Sequence, residues 1–227
     1  MLLGTIFLGQ LILLFILSRK VNRSIYQLIL KIFKDQDRAV YLYSIFFLPG
    51  TFIHEVSHFL AALFLVVPVS DMVLIPKAGE RSIQMGEVKI AKVDLVRSTL
   101  VGLAPFIFGL GIIVSLVYFG VVKYDPPWYL TLIGALLIFE VANTMFLSTS
   151  DIKSALKLII LIAITLLILY LFGVRYSVNL SSVNNPALQM VIKNLALFFL
   201  IPIGLDVFVI LMTTVLGKIG KVKVYVE

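Results

Sequence analysis

His54, Glu55 and His58 stand in "PGTFIHEVSHFLAALFLVVPV", residues 49–69, where almost every other side chain is hydrocarbon. Their spacing is that of HExxH. On a helix, positions i and i+4 share a face one turn apart, so two imidazoles can grip one ion. The glutamate beside the first histidine projects to one flank, where it can act as general base on a metal-bound water. A buried carboxylate in an apolar span costs several kcal/mol unless something compensates it. The chain has only two histidines, and both lie here. Chance HExxH matches and hydrogen-bonded core histidines are common, but this context favours a metal site.

A catalytic zinc takes three protein ligands and one open position. The chain has no cysteine and no third histidine, so the remaining ligand must be a carboxylate. Glu140, Asp151 and Asp206 are the candidates in or bordering apolar segments. The lack of cysteine also excludes disulfides, thiolate metal sites and a cysteine nucleophile.

The elements that must position these groups are membrane helices. Hydrophobic residues make up 61% of the chain and charged ones 14%, with a mean hydropathy of +1.10. Such a composition belongs to a polytopic membrane protein, since a span needs about 20 apolar residues. Apolar stretches near 1–18, 40–68, 99–122, 128–149, 154–173 and 193–216 predict an all-α bundle of about six transmembrane helices. The first has no basic n-region and no small-x-small cleavage site, and reads as a retained span rather than a signal peptide. The 227 residues then form a single domain, with its core at 40–157 and no large soluble part. Residues 71–94, between the second and third spans, carry short β-branched runs and turn signals that predict a small β-hairpin.

The net charge of +7 does not point to nucleic acid, because the basic residues fall between and at the ends of spans. Anionic lipid headgroups are the expected partner, and "IYQLILKIF", ringed by Arg19, Lys20, Arg23, Lys31, Lys34 and Arg38, is expected to lie along the interface. Orientation is not legible. With a cytoplasmic N-terminus, basic residues divide ten to eight between the two sides.

The HExxH motif and "NTMFLSTSD", Asn143 to Asp151, together resemble the site-2 protease family of intramembrane zinc metalloproteases. That family pairs HExxH in one span with a later N-x-x-P-x-P-x-L-D-G motif whose aspartate is the third zinc ligand. The eight-residue interval from Asn143 to Asp151 agrees with that pattern. "LVGLAPFIFG", residues 100–109, echoes the family's Gly-Pro segment, and the hairpin falls in the corresponding place. Ser57 replaces the usual glycine, Phe146 and Ser148 replace the prolines, and "SDI" replaces "LDG". The resemblance covers roughly residues 49–151 and describes a divergent member without a PDZ domain.

It implies that His54, His58 and Asp151 bind one Zn2+ and that Glu55 activates the water attacking a peptide carbonyl. Asn143 would assist by hydrogen-bonding substrate backbone or the developing oxyanion, or serve as a buried amide bridging helices. Glu140 would orient a ligand or pair within the bundle, and Asp206 would be a gate, a substrate contact or a carboxylate satisfied by a freed N–H. The implied activity is endoproteolysis in or near transmembrane segments of substrate proteins, in a multi-pass protein of the cell membrane. A metal transporter or sensor, and an inactive protease-like scaffold, are the alternatives.

Overall fold

The computed structural model describes residues 2–73, 77–78, 83–84, 87–90, 93–118, 127–146, 149–172 and 185–219, with side chains over 3–70, 93–118, 127–146, 156–172, 185–186 and 189–217. Among the described residues eight helices and four short strands follow one another: α1 Leu2–Phe33, α2 Gln36–Phe46, α3 Leu48–Phe64, β1 Val69–Val73, β2 Lys77–Ala78, β3 Ile83–Gln84, β4 Glu87–Ile90, α4 Leu95–Val117, α5 Trp128–Thr144, α6 Thr149–Leu171, α7 Pro186–Phe198 and α8 Leu200–Ile219. This is a helical membrane protein. Residues 3–33, 95–117 and 189–217 are helical, long and apolar enough to cross a bilayer. Residues 36–46 and 48–64 add a fourth crossing if they count as one bent span.

Helix boundaries follow local chemistry. The carboxylate of Asp35 accepts the Arg38 N–H at 2.8 Å to start α2, and Asp94 accepts that of Arg97 at 3.0 Å to start α4. The Arg97 N–H, aided by its guanidinium, holds the Asp94 carboxyl below the usual carboxylate range. Pro49 sits in the first turn of α3. It cannot donate to a preceding turn, and the chain bends there by 68°. The expected span 40–68 is therefore two helices meeting at Phe47.

Two further expectations change. "IYQLILKIF" is the unbroken continuation of α1 rather than a separate surface segment. Val21 and Ile25 are buried there against Tyr43, Phe47 and Phe139, with Ile29, Leu205 and Val209 packed beside them. The fourth apolar run ends early, with α5 stopping at Thr144, so Asp151 belongs to the first turn of α6.

Side-chain pairs give the helix directions. Phe7 meets Phe199 with ring centroids 5.5 Å apart. Gln10 Nε2 donates to the Ala196 carbonyl at 3.0 Å, and Lys31 Nζ donates to that of Gly217. Thus α1 and the α7–α8 pair run parallel. Phe15 packs on Phe146 at 5.3 Å while Val21 and Ile25 pack with Phe139, so α5 runs against α1. Phe47 stacks on Phe139 and His54 reaches Thr144, so α3 runs with α5. Six strictly alternating crossings would leave the first and last spans antiparallel, and here they are parallel.

Strand β1 pairs antiparallel with β4, Val69 opposite Ile90 and Val73 opposite Glu87, with a bulge between Val69 and Asp71. Strand β2 pairs antiparallel with β3. β1 and β4 lie against α3. The rest of the 71–94 stretch, including residues 74–76, 79–82, 85–86 and 91–92, lies outside the described residues.

Candidate metal centre

Helix α3 carries His54, Glu55 and His58, and close helix contacts hold it in place. A Cβ on Gly50 would come within 2.7 Å of the Glu140 carbonyl and of Thr144 Oγ1. Only glycine lets α3 and α5 approach this closely. On α4, a Cβ at Gly109 would sit 2.5 Å from Met145 Cβ. The turn that ends α5 is thus clamped between α3 and α4.

That clamp brings backbone carbonyls to both imidazoles. His54 Nδ1 lies 2.6 Å from the Thr144 carbonyl, and His58 Nδ1 lies 2.9 Å from the Val101 carbonyl. A carbonyl oxygen only accepts, so each Nδ1 carries the proton and each Nε2 presents its lone pair in the neutral ring. The two Nε2 atoms then stand 3.2 Å apart, with the ring planes 81° to one another. Two nitrogens bound to one tetrahedral zinc at about 2.05 Å would be separated by about 3.3 Å. The pair therefore fits two corners of a zinc site, and the Nδ1 bonds supply the outer support that metal-bound histidines usually have.

Both acceptor carbonyls are available for a local reason. Pro105 lies inside α4 and has no N–H to offer four residues back. The carbonyl that loses its helical partner is that of Val101, and His58 donates to it. Helix α5 ends at Thr144, so its last carbonyls also lack helical donors. His54 takes one of them, and Asn22 Nδ2 of α1 takes the neighbouring Asn143 carbonyl at 3.1 Å. Sequence reasoning missed Val101 and Asn22. The signals were present: a proline inside an apolar helix four residues after Val101, and a lone asparagine on the stripe of α1 that carries Val21 and Ile25.

Glu55 is 6% exposed and His58 9%, so this carboxyl group and the second imidazole are shielded from bulk water. Ser57, where the resembled family has glycine, is buried and donates its hydroxyl to the Ile53 carbonyl at 2.6 Å. A serine satisfied in this way adds no unpaired polar group to α3. The side chain of Asp151, the expected third ligand, lies outside the described residues. Among the described residues no group of three or more His, Cys, Asp or Glu converges as a metal site.

Asn143 has a definite place. Its Nδ2 donates to the Phe139 carbonyl at 2.9 Å and to Asp206 Oδ1 at 2.7 Å. An amide nitrogen has two hydrogens, and both are committed. This is the bridging geometry, tying α5 to α8. Glu140 is buried, and its backbone carbonyl lies at the close α3–α5 contact beside Gly50. Asp206 is fully buried.

Comparison of the chain with protein-family models, with curated proteins and with solved structures finds no match. The resemblance to site-2 proteases rests on the motif residues alone.

Proposed function

We propose that this chain is a zinc-dependent intramembrane endopeptidase of site-2 protease type. The observation that supports it most is the 3.2 Å approach of two Nε2 atoms whose Nδ1 protons are each given to a backbone carbonyl. Evolutionary chance supplies HExxH easily, but not two tautomers fixed toward one point. In this reading His54, His58 and Asp151 hold one Zn2+. A zinc ion held there would supply a Lewis acid able to polarise a peptide carbonyl and acidify water.

The chain's own residues do the rest. Glu55, on the flank of the histidine pair, takes up the proton released by water and returns it to the leaving amine. Its burial keeps that proton from exchanging freely with solvent. Asn143 positions the end of α5 rather than the substrate. A transmembrane substrate must unwind to expose a peptide bond, and the two-stranded β1–β4 pair offers an edge to which an extended segment adds. The finer architecture belongs to the same proposal: all six apolar segments embedded in the cell membrane, the strands inserted between α3 and α4, and transmembrane proteins as substrates beside surrounding lipid.

Metal analysis of purified protein tests the ligands. Wild type should carry one zinc per chain, and His54→Ala, His58→Ala and Asp151→Ala should each lose it. Glu55→Gln should keep the zinc and lose cleavage of a transmembrane substrate. Full zinc occupancy after any ligand change overturns the site, undiminished cleavage by Glu55→Gln overturns the role of Glu55 as base, and zinc bound by a wild type that cleaves nothing favours a metal carrier or scaffold.

A further inference from the structure

A second polar cluster, apart from the histidines, lies where α1, α5 and α8 meet. It consists of Asn22, Asn143 and Asp206. Asp206 is fully buried and Asn143 is 4% exposed. A carboxylate in the middle of an apolar helix is costly and persists where it does something specific.

The bonds give a direction of action. Asp206 Oδ1 accepts one hydrogen of Asn143 Nδ2 at 2.7 Å, and the Phe139 carbonyl accepts the other at 2.9 Å. The Phe139 carbonyl can only accept, so the amide nitrogen of Asn143 and not its oxygen faces it. Asn22 Nδ2 holds the main-chain carbonyl of the same residue at 3.1 Å. Asn143 is thus fixed at side chain and backbone by two different helices. The next residue is Thr144, whose carbonyl receives His54 Nδ1 at 2.6 Å.

We infer that Asp206 and Asn22 are positioning residues for the metal ligand His54, acting through Asn143 to hold the Thr144 carbonyl where it fixes the His54 ring. Thr144 is the last residue of α5, and a helix end without anchors frays. A displaced carbonyl would remove the contact that sets the Nδ1–H tautomer of His54, and with it one restraint that turns Nε2 toward that of His58. Asp206 serves as an acceptor here. Its role needs an oxygen at that position and not a negative charge. Outer partners of this kind are worth about 10–100-fold in metal affinity.

The inference rests on the proposed metal site, and its test separates the two. Zinc and cobalt affinities are measured on the purified 227-residue chain. Asp206→Ala and Asn22→Ala are expected to weaken both about 10–100-fold, whereas Asp206→Asn, which keeps an acceptor oxygen, should stay within about threefold of wild type. Gln10→Ala is the control: it also removes a half-buried amide bond between helices, far along α1 from the site, and should lower thermal stability without moving metal affinity. If Asp206→Ala does not fold, Asn143→Ala removes the same bond from its other end. Unchanged affinity in the alanine variants overturns the inference while leaving the metal site intact. Equal losses in Asp206→Asn and Asp206→Ala also overturn it, because charge and not position would then be responsible. If wild type binds no stoichiometric metal, or His54→Ala binds as tightly, the site fails and this inference with it.

Discussion

At the scale of single residues, Pro105 connects helix geometry to the histidine pair of the proposed metal site. It frees the Val101 carbonyl that His58 uses. Pro105→Ala restores an N–H, which the Val101 carbonyl accepts within the helix in competition with the imidazole. The helix gains, since proline in a helix interior costs about 3 kcal/mol relative to alanine. The histidine loses a fixed tautomer. Pro105→Ala is therefore expected to raise thermal stability and to weaken zinc binding by about tenfold, two changes of opposite sign that a general loosening of the fold would not produce. Unfolding followed in detergent, alongside metal titration, reads both. The histidines and the glutamate were legible in the sequence because side-chain types at i and i+4 carry their meaning locally. The carbonyls that orient them were not, because every residue has a carbonyl and only the fold selects which ones are free.

At the scale of elements, α3 ends in a strained cap. The Val67 N–H donates to the Ala62 carbonyl at 2.8 Å and the Val66 N–H to that of Leu63 at 3.1 Å. This is a Schellman closure, and its pivot is Val66 at φ 54. Glycine usually occupies such a position, whereas a β-branched side chain there costs about 1–2 kcal/mol. Val66 is 81% exposed, so its side chain returns little of that cost through packing. Val66→Gly should accordingly stabilise the protein by about 1 kcal/mol, measured by reversible unfolding in mixed micelles; a loss of stability would show that the exposed valine is held by something outside the bundle. Helix existence was readable from apolar runs, and helix ends were not. The break at Phe47 comes from Pro49, which the sequence displays, but the end of α5 comes from carbonyls turned toward Asn22 and His54. Those are contacts over 121 and 90 residues, invisible to any local window.

At the scale of the whole molecule, direction is the property that counting apolar runs misses. α1 and α7–α8 are parallel along their length, from Phe7 with Phe199 to Lys31 with Gly217. α3 and α5 run the other way. α5 heads toward the face where α1 begins, and α7 sets out from that face. An odd number of net crossings and opposite faces for the two ends of the bundle are expected. Positive-charge counting could not reach this, because it presupposes strict alternation. The chain contains no cysteine, so single cysteines report without background. Gly4→Cys and Gly217→Cys are suited, since an added Cβ meets nothing within 4 Å at either position. Gly217 also lines a recess with Ser24, Gln27, Leu28, Lys31, Thr213 and Thr214. A membrane-impermeant maleimide should label one of the two in right-side-out vesicles and the other only in inverted ones. Labelling of both from the same side would mean an even number of crossings, and the parallel packing of α1 on α8, with the Asn22–Asn143–Asp206 junction built on it, would have to be abandoned.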